Sequence, residues 1–184
     1  MHFFNLPNFI SLGRLLSVPI LINLILSNEM VASFWVFSIA SLSDALDGYL
    51  ARKLKIRTEL GSFLDPIADK ALLISVYLSL GIIGNISTWL VTLVIFRDIL
   101  IVGGTILLYI FQKPIFMNPI LSSKINTVFQ ILFISFLLAS KSFGFLSFLD
   151  YLLELFEFGV GLTTLLSGTF YVKLWLERIN LPSL

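Results

Sequence analysis

The chain has 184 residues, 58% hydrophobic and 12% charged, with a formal net charge of +1. Soluble domains carry about 25% charged residues, so a mean hydropathy of +1.00 places this chain among membrane proteins. There is no cysteine, and the one histidine is His2; disulfides, thiolate metal sites and thiol nucleophiles are excluded, and histidine-based catalysis and nucleic-acid binding are disfavoured.

Crossing the hydrocarbon core takes about 20 helical residues. Six segments qualify, at 12–27, 31–53, 62–84, 87–111, 123–140 and 150–175, and they predict an all-α membrane domain spanning residues 1–184. Ahead of the first, HFFNLPNFI is short and aromatic, and is expected to lie along the interface as a separate short helix. The stretches SNEM and GNIS carry the Asn, Ser and Gly expected where one helix stops and the next begins. Residues 112–122, QKPIFMNPILS, hold two prolines and read as a longer loop.

Orientation follows from Lys and Arg. Arg14, Arg52, Lys53, Lys55, Arg57, Lys113, Lys124, Lys173 and Arg178 fall at one set of ends, against Lys141 alone at the other. That imbalance puts both termini and the 53–61 loop in the cytoplasm. Lys70 and Arg97 remain inside expected spans.

Four aspartates stand out. Asp44 and Asp47 lie three apart near the cytoplasmic end of the second span, sharing a face with the small residues Gly48 and Ala51. Asp65 and Asp69 lie four apart at the start of the third, with Gly61 a turn earlier. The two helices are joined by the basic loop, so all four carboxylates are expected at similar depth. Four carboxylates in low dielectric repel one another and largely protonate unless cations intervene. An all-oxygen donor set selects hard divalent ions, and four aspartates can hold two metals about 4 Å apart, as in-line displacement at phosphorus uses. Arg52 suits a diphosphate, because its planar fork donates in pairs. Pro66 is expected in the first turn of its helix, where it is tolerated. Structural pairing of the carboxylates with nearby cations is the bland alternative, and a cation channel or cation-coupled transporter is the competitor from another class. Transporter sites tend towards the midplane, whereas these residues sit near one face beside basic groups, which favours an anionic substrate.

The pattern from Asp44 to Asp69, D-x2-D-G-x2-A-R-x8-G-x3-D-x3-D, together with LPNFISLGRLLSVP near the start, resembles the CDP-alcohol phosphatidyltransferases. These membrane enzymes move a phosphatidyl group from a CDP-linked lipid to an alcohol. The resemblance implies a six-helix membrane bundle and a homodimer. It implies that Asp44, Asp47, Asp65 and Asp69 bind two divalent ions, Mg²⁺ or Mn²⁺ (Ca²⁺ and Co²⁺ are further options). Asp69 would also act as general base, and Gly48, Ala51, Arg52 and Gly61 would hold the CDP moiety. VIFRDILIVGG at 94–104 and SSKINTVFQILFI at 122–134 look more like the CMP-forming cardiolipin synthases than the phosphatidylglycerophosphate synthases. The latter typically show Arg-Glu at Arg97-Asp98 and a second lysine at Asn126. Arg97 and Lys124 are the candidate acceptor-binding cations, with pairing of Arg97 to Asp98 and snorkelling of Lys124 as the structural alternatives. A lipid acceptor such as phosphatidylglycerol needs fewer cations than glycerol 3-phosphate. Glu154 and Glu157, near the outer end of the last span, read as interfacial. Gly103, Gly104, Gly159, Gly161 and Gly168 allow close helix packing.

Overall fold

The structure is a computed structural model that describes the backbone of residues 6–54, 59–111, 121–144 and 147–179, and the side chains of 10–43, 65–108, 110–111, 121–144 and 151–177. It contains six helices: α1 (Leu6–Leu26), α2 (Met30–Leu54), α3 (Glu59–Ile82), α4 (Thr88–Ile110), α5 (Leu121–Phe143) and α6 (Ser147–Ile179). Each coincides with one expected span.

The separate interfacial helix is not found. Leu6–Ile10 run unbroken into α1, and residues 1–5 lie outside the described part. Pro7 falls in the first turn, where its missing N–H would have had no intrahelical partner, so nothing in that stretch breaks the helix. Length and hydropathy qualify three of the expected spans among the described residues: Thr88–Leu108, Leu121–Phe143 and Tyr151–Glu177. The apolar runs Ile10–Leu26 and Met30–Ser43 are shorter. In α3, Asp65, Asp69 and Lys70 crowd into six residues and interrupt the apolar run.

Both tight turns form where the sequence placed them, and by one device. Asn28 has φ 62° and Gly84 φ 77°. Glu29 N–H donates to Leu24 O and Asn85 N–H to Leu80 O, each at 2.9 Å. These six-to-one bonds around a left-handed residue are the Schellman closure of a helix end. Asn and Gly are the residues that enter this conformation at least cost.

The chain divides into two compact units. In the first, residues 1–86 and 134–149, α1 packs against both α2 and α3. Leu21, Ile25, Phe37, Leu72, Val76, Tyr77 and Leu80 are its buried apolar residues. Side-chain bonds join positions 11 to 65 and 14 to 69, 54 and 55 residues apart, so α1 and α3 run parallel. Ser142 of α5 donates to the Met30 carbonyl at 2.8 Å, and Phe34 and Phe143 meet edge to face at 5.6 Å.

In the second unit, residues 87–133 and 150–184, α4 and α6 also run parallel. Ser87 meets Glu157 and Arg97 meets Ser167, each 70 residues apart. Gly161 lies under Trp89, and Gly104 under Trp175, close enough that an added Cβ would sit 2.7 and 2.0 Å from the rings. Of the five glycines read as packing residues, these two pack closely, Gly168 is in ordinary contact with the Arg97 side chain at 3.8 Å, and Gly103 and Gly159 face open space.

Candidate functional site

Asp44, Asp47, Gly48, Ala51 and Arg52 all fall on α2, and Gly61 on α3; their side chains lie outside the described residues. Counted along the backbone, Asp44 and Asp47 are ten and seven residues before the end of α2, and Asp65 and Asp69 six and ten after the start of α3. At about 1.5 Å per residue, the two pairs occupy matching stretches of their helices. Among the described residues no group of three or more potential metal ligands occurs, as follows when two of the four aspartates are not described.

Asp65 and Asp69 face α1. Ser11 Oγ donates to Asp65 Oδ1, and Arg14 Nη1 donates to Asp69 Oδ1 in an ion pair. Complementary spacing produces this match: three residues along α1 and four along α3 each advance about one turn. Arg14, counted from sequence as a cytoplasmic end charge, is 3% exposed and turned inward. The signal was present as two polar residues three apart in the apolar run ISLGRLL. A cavity of about 330 Å³ borders Arg14, lined by Ile10, Gly13, Ser17 and, on α2, Ala40 and Ser43.

Pro66 is placed differently from expectation. Because α3 begins at Glu59, Pro66 is its eighth residue rather than part of a first turn. Proline has no N–H for the carbonyl four residues back and crowds it sterically. The α3 ladder therefore lacks the bond from position 66 to the carbonyl of position 62.

Arg97 and Lys124 belong to the second unit. Arg97 and Asp98 are each 3% exposed and pair at 2.7 Å. Arg97 also donates to Ser123 and Ser167 Oγ, both at 2.6 Å, and its guanidinium carbon lies 5.9 Å from the Tyr171 ring centre. Neighbouring positions on a helix do not normally face each other; burial against α5 and α6 draws this pair together. Lys124 follows Ser123 and is exposed. A groove of about 410 Å³ runs along α4 and α6, with Leu93, Phe96, Leu100, Leu165 and Val172 as apolar wall and Arg97 and Lys173 as its cations.

Asn126 is fully buried, its amide 2.9 Å from both Thr163 Oγ1 and Thr164 Oγ1. Those hydroxyls lie 3.0 and 2.7 Å from the Val160 carbonyl. Each has one proton. Given to Asn126 Oδ1, it makes the contact at 2.9 Å across to α5; given to the Val160 carbonyl, it closes a bond within α6. Glu157, read as interfacial, instead accepts the Ser87 N–H at 3.0 Å, just ahead of α4. That backbone donor is one a helix start leaves without an internal partner.

Comparison with known proteins bears on this arrangement. A chloroplastic CDP-diacylglycerol–glycerol-3-phosphate 3-phosphatidyltransferase 1 from Oryza sativa subsp. japonica is 34% identical over 162 residues, covering 78% of this chain and 49% of that protein. A CDP-diacylglycerol–glycerol-3-phosphate 3-phosphatidyltransferase from Rickettsia typhi is 31% identical over 173 residues, 92% of this chain and 96% of that one. A cardiolipin synthase (CMP-forming) from Rattus norvegicus is 31% identical over 156 residues, 76% of this chain and 52% of that one. Relatives of both names match at similar identity, so they do not separate the two acceptors. Residues 4–166, which include the whole aspartate pattern, match the CDP-alcohol phosphatidyltransferase family, and the chain belongs to that family.

Proposed function

We propose that the protein transfers a phosphatidyl group from CDP-diacylglycerol to the hydroxyl of phosphatidylglycerol, giving cardiolipin and CMP. The observation that carries the reading is the uninterrupted eight-position pattern on α2 and α3, whose last two aspartates are held on one face by α1. The donor set contains only oxygen, which suits hard cations. Asp69 remains 38% exposed while Arg14 holds it.

In this mechanism Asp44, Asp47, Asp65 and Asp69 would hold two divalent ions, Mg²⁺ or Mn²⁺, which would neutralise the donor diphosphate when bound. Arg52 adds paired hydrogen bonds to the same group. Gly48, Ala51 and Gly61 leave room for the CDP moiety to approach the backbone. Asp69 takes the proton of the acceptor hydroxyl. The acceptor oxygen bonds to the phosphatidyl phosphorus, the bond from that phosphorus to CMP breaks, and CMP leaves with the electron pair. A carboxylate can serve here because the hydroxyl proton becomes acidic as the new bond forms.

Charge supports a lipid acceptor. Arg97 is already matched by Asp98, and Asn126 is a neutral amide engaged by two threonines. A dianionic glycerol phosphate would call for more unmatched cations. The second reading, phosphatidylglycerophosphate synthesis, is favoured by the name of the near full-length Rickettsia match. Six membrane crossings, a cytoplasm-facing site and a homodimer complete the proposal, supported by the Lys and Arg distribution and by the family resemblance.

The test supplies labelled CDP-diacylglycerol with phosphatidylglycerol and with glycerol 3-phosphate in parallel. CMP release is expected with phosphatidylglycerol, dependent on a divalent ion and abolished by chelator or by Asp69→Asn. Consumption of glycerol 3-phosphate alone would reverse the acceptor assignment, and transfer in excess chelator would remove the two-metal mechanism.

A further inference from the structure

Two ion pairs in this protein differ in one respect. In Arg97–Asp98 both side chains are 3% exposed. In Arg14–Asp69 the arginine side chain is 1% exposed and the aspartate 38%. A pair that only ties two helices together gains by withdrawing both partners, since that excludes the water competing for them. Here the cation is sunk between helices and the anion is left at the edge. Arg14 is fixed and Asp69 is presented.

The two carboxylates are also treated unequally. Asp65 receives a neutral hydroxyl from Ser11, which is 1% exposed, and Asp69 receives a full positive charge from Arg14. A residue needed only as a metal ligand gains nothing from a cation beside it, because like charges oppose each other at short range. A residue that must meet a proton at a set place does gain, because the guanidinium orients its carboxylate and offsets its charge. Pro66 makes such a brace useful, as it leaves the turn that carries Asp65 one ladder bond short.

We propose that Arg14 is a positioning residue that aims Asp69 for proton acceptance, and that Ser11 is a positioning residue that sets Asp65 as a metal ligand. The inference rests on the aspartate mechanism above and assigns α1 a part in it. The two roles predict different behaviour towards metal. Losing Arg14 frees Asp69, one of the four ligands, but also removes a positive charge beside the cation site, so the two effects on metal binding oppose each other, whereas turnover falls because the base is misplaced. Losing Ser11 frees Asp65 and weakens metal binding.

The experiment uses the full chain in detergent. Mn²⁺ binding is followed by the EPR signal of the free ion without substrate, and CMP release gives kcat and the metal concentration for half-activation. Arg14→Gln is expected to lower kcat about 100-fold, the scale of a misplaced reacting group, with a much smaller change in Mn²⁺ affinity. Arg14→Lys is expected to recover part of kcat. Ser11→Ala is expected to weaken Mn²⁺ binding about tenfold and to raise the metal concentration for half-activation in proportion. Parallel loss of Mn²⁺ affinity and kcat in Arg14→Gln, or unchanged kcat, overturns the role of Arg14; unchanged Mn²⁺ affinity in Ser11→Ala overturns that of Ser11. If wild type itself neither binds Mn²⁺ nor releases CMP, the aspartate mechanism fails rather than this refinement of it.

Discussion

Replacing Arg97 with methionine removes the cation paired with Asp98 in a site where both side chains are 3% exposed. Breaking a buried pair from one side costs about 3–5 kcal/mol, whereas replacing both partners by apolar groups is often neutral or stabilising. Arg97→Met should therefore lie near the upper part of that range, because the Ser123 and Ser167 hydroxyls lose a charged partner at 2.6 Å as well. The double variant Arg97→Met/Asp98→Leu should recover most of the loss, giving a coupling of about 3 kcal/mol, roughly a hundredfold in the folding equilibrium. Unfolding by added SDS in mixed micelles, followed by tryptophan fluorescence, measures all four corners of the cycle. Additive single effects would refute the reasoning. If Asp98→Asn left stability untouched but changed KM for the acceptor, Arg97 would be a substrate group rather than a structural one.

Two smaller perturbations probe helix packing and closure. Gly104→Ala places a methyl 2.0 Å from the Trp175 ring and should cost about 1–3 kcal/mol by overpacking, partly recovered by Trp175→Ala; an unchanged midpoint would mean the ring moves aside freely. Asn28→Val puts a β-branched residue at φ 62° and should lower stability by about 1–2 kcal/mol, while Asn28→Gly should be close to neutral in the same unfolding assay.

Helix count, turn positions and the pattern of aspartates were readable because each depends on local sequence. A run of about 20 apolar residues spans, and an Asn or Gly ends a helix, whatever surrounds them. The inward face of α1 was not readable. α1 is apolar on nearly all sides, so its periodicity does not say which side meets α3, and Arg14 looked like one more end charge. The cap that Glu157 supplies ahead of α4 joins residues 70 apart, beyond any local rule. Pro66 was misplaced because the hydrophobic run begins after the helix does, the first turn of α3 being polar.

The 33 residues of α6 make a rod about 50 Å long, against a hydrocarbon layer of about 30 Å. The surplus must lean or stand proud among the headgroups. Since α4 is pinned to α6 at Glu157, Trp89, Ser167 and Trp175, the two must lean together. Bilayer thickness thus becomes a mechanical input to this helix pair, and lipids with shorter or more disordered tails will press it towards a steeper slant.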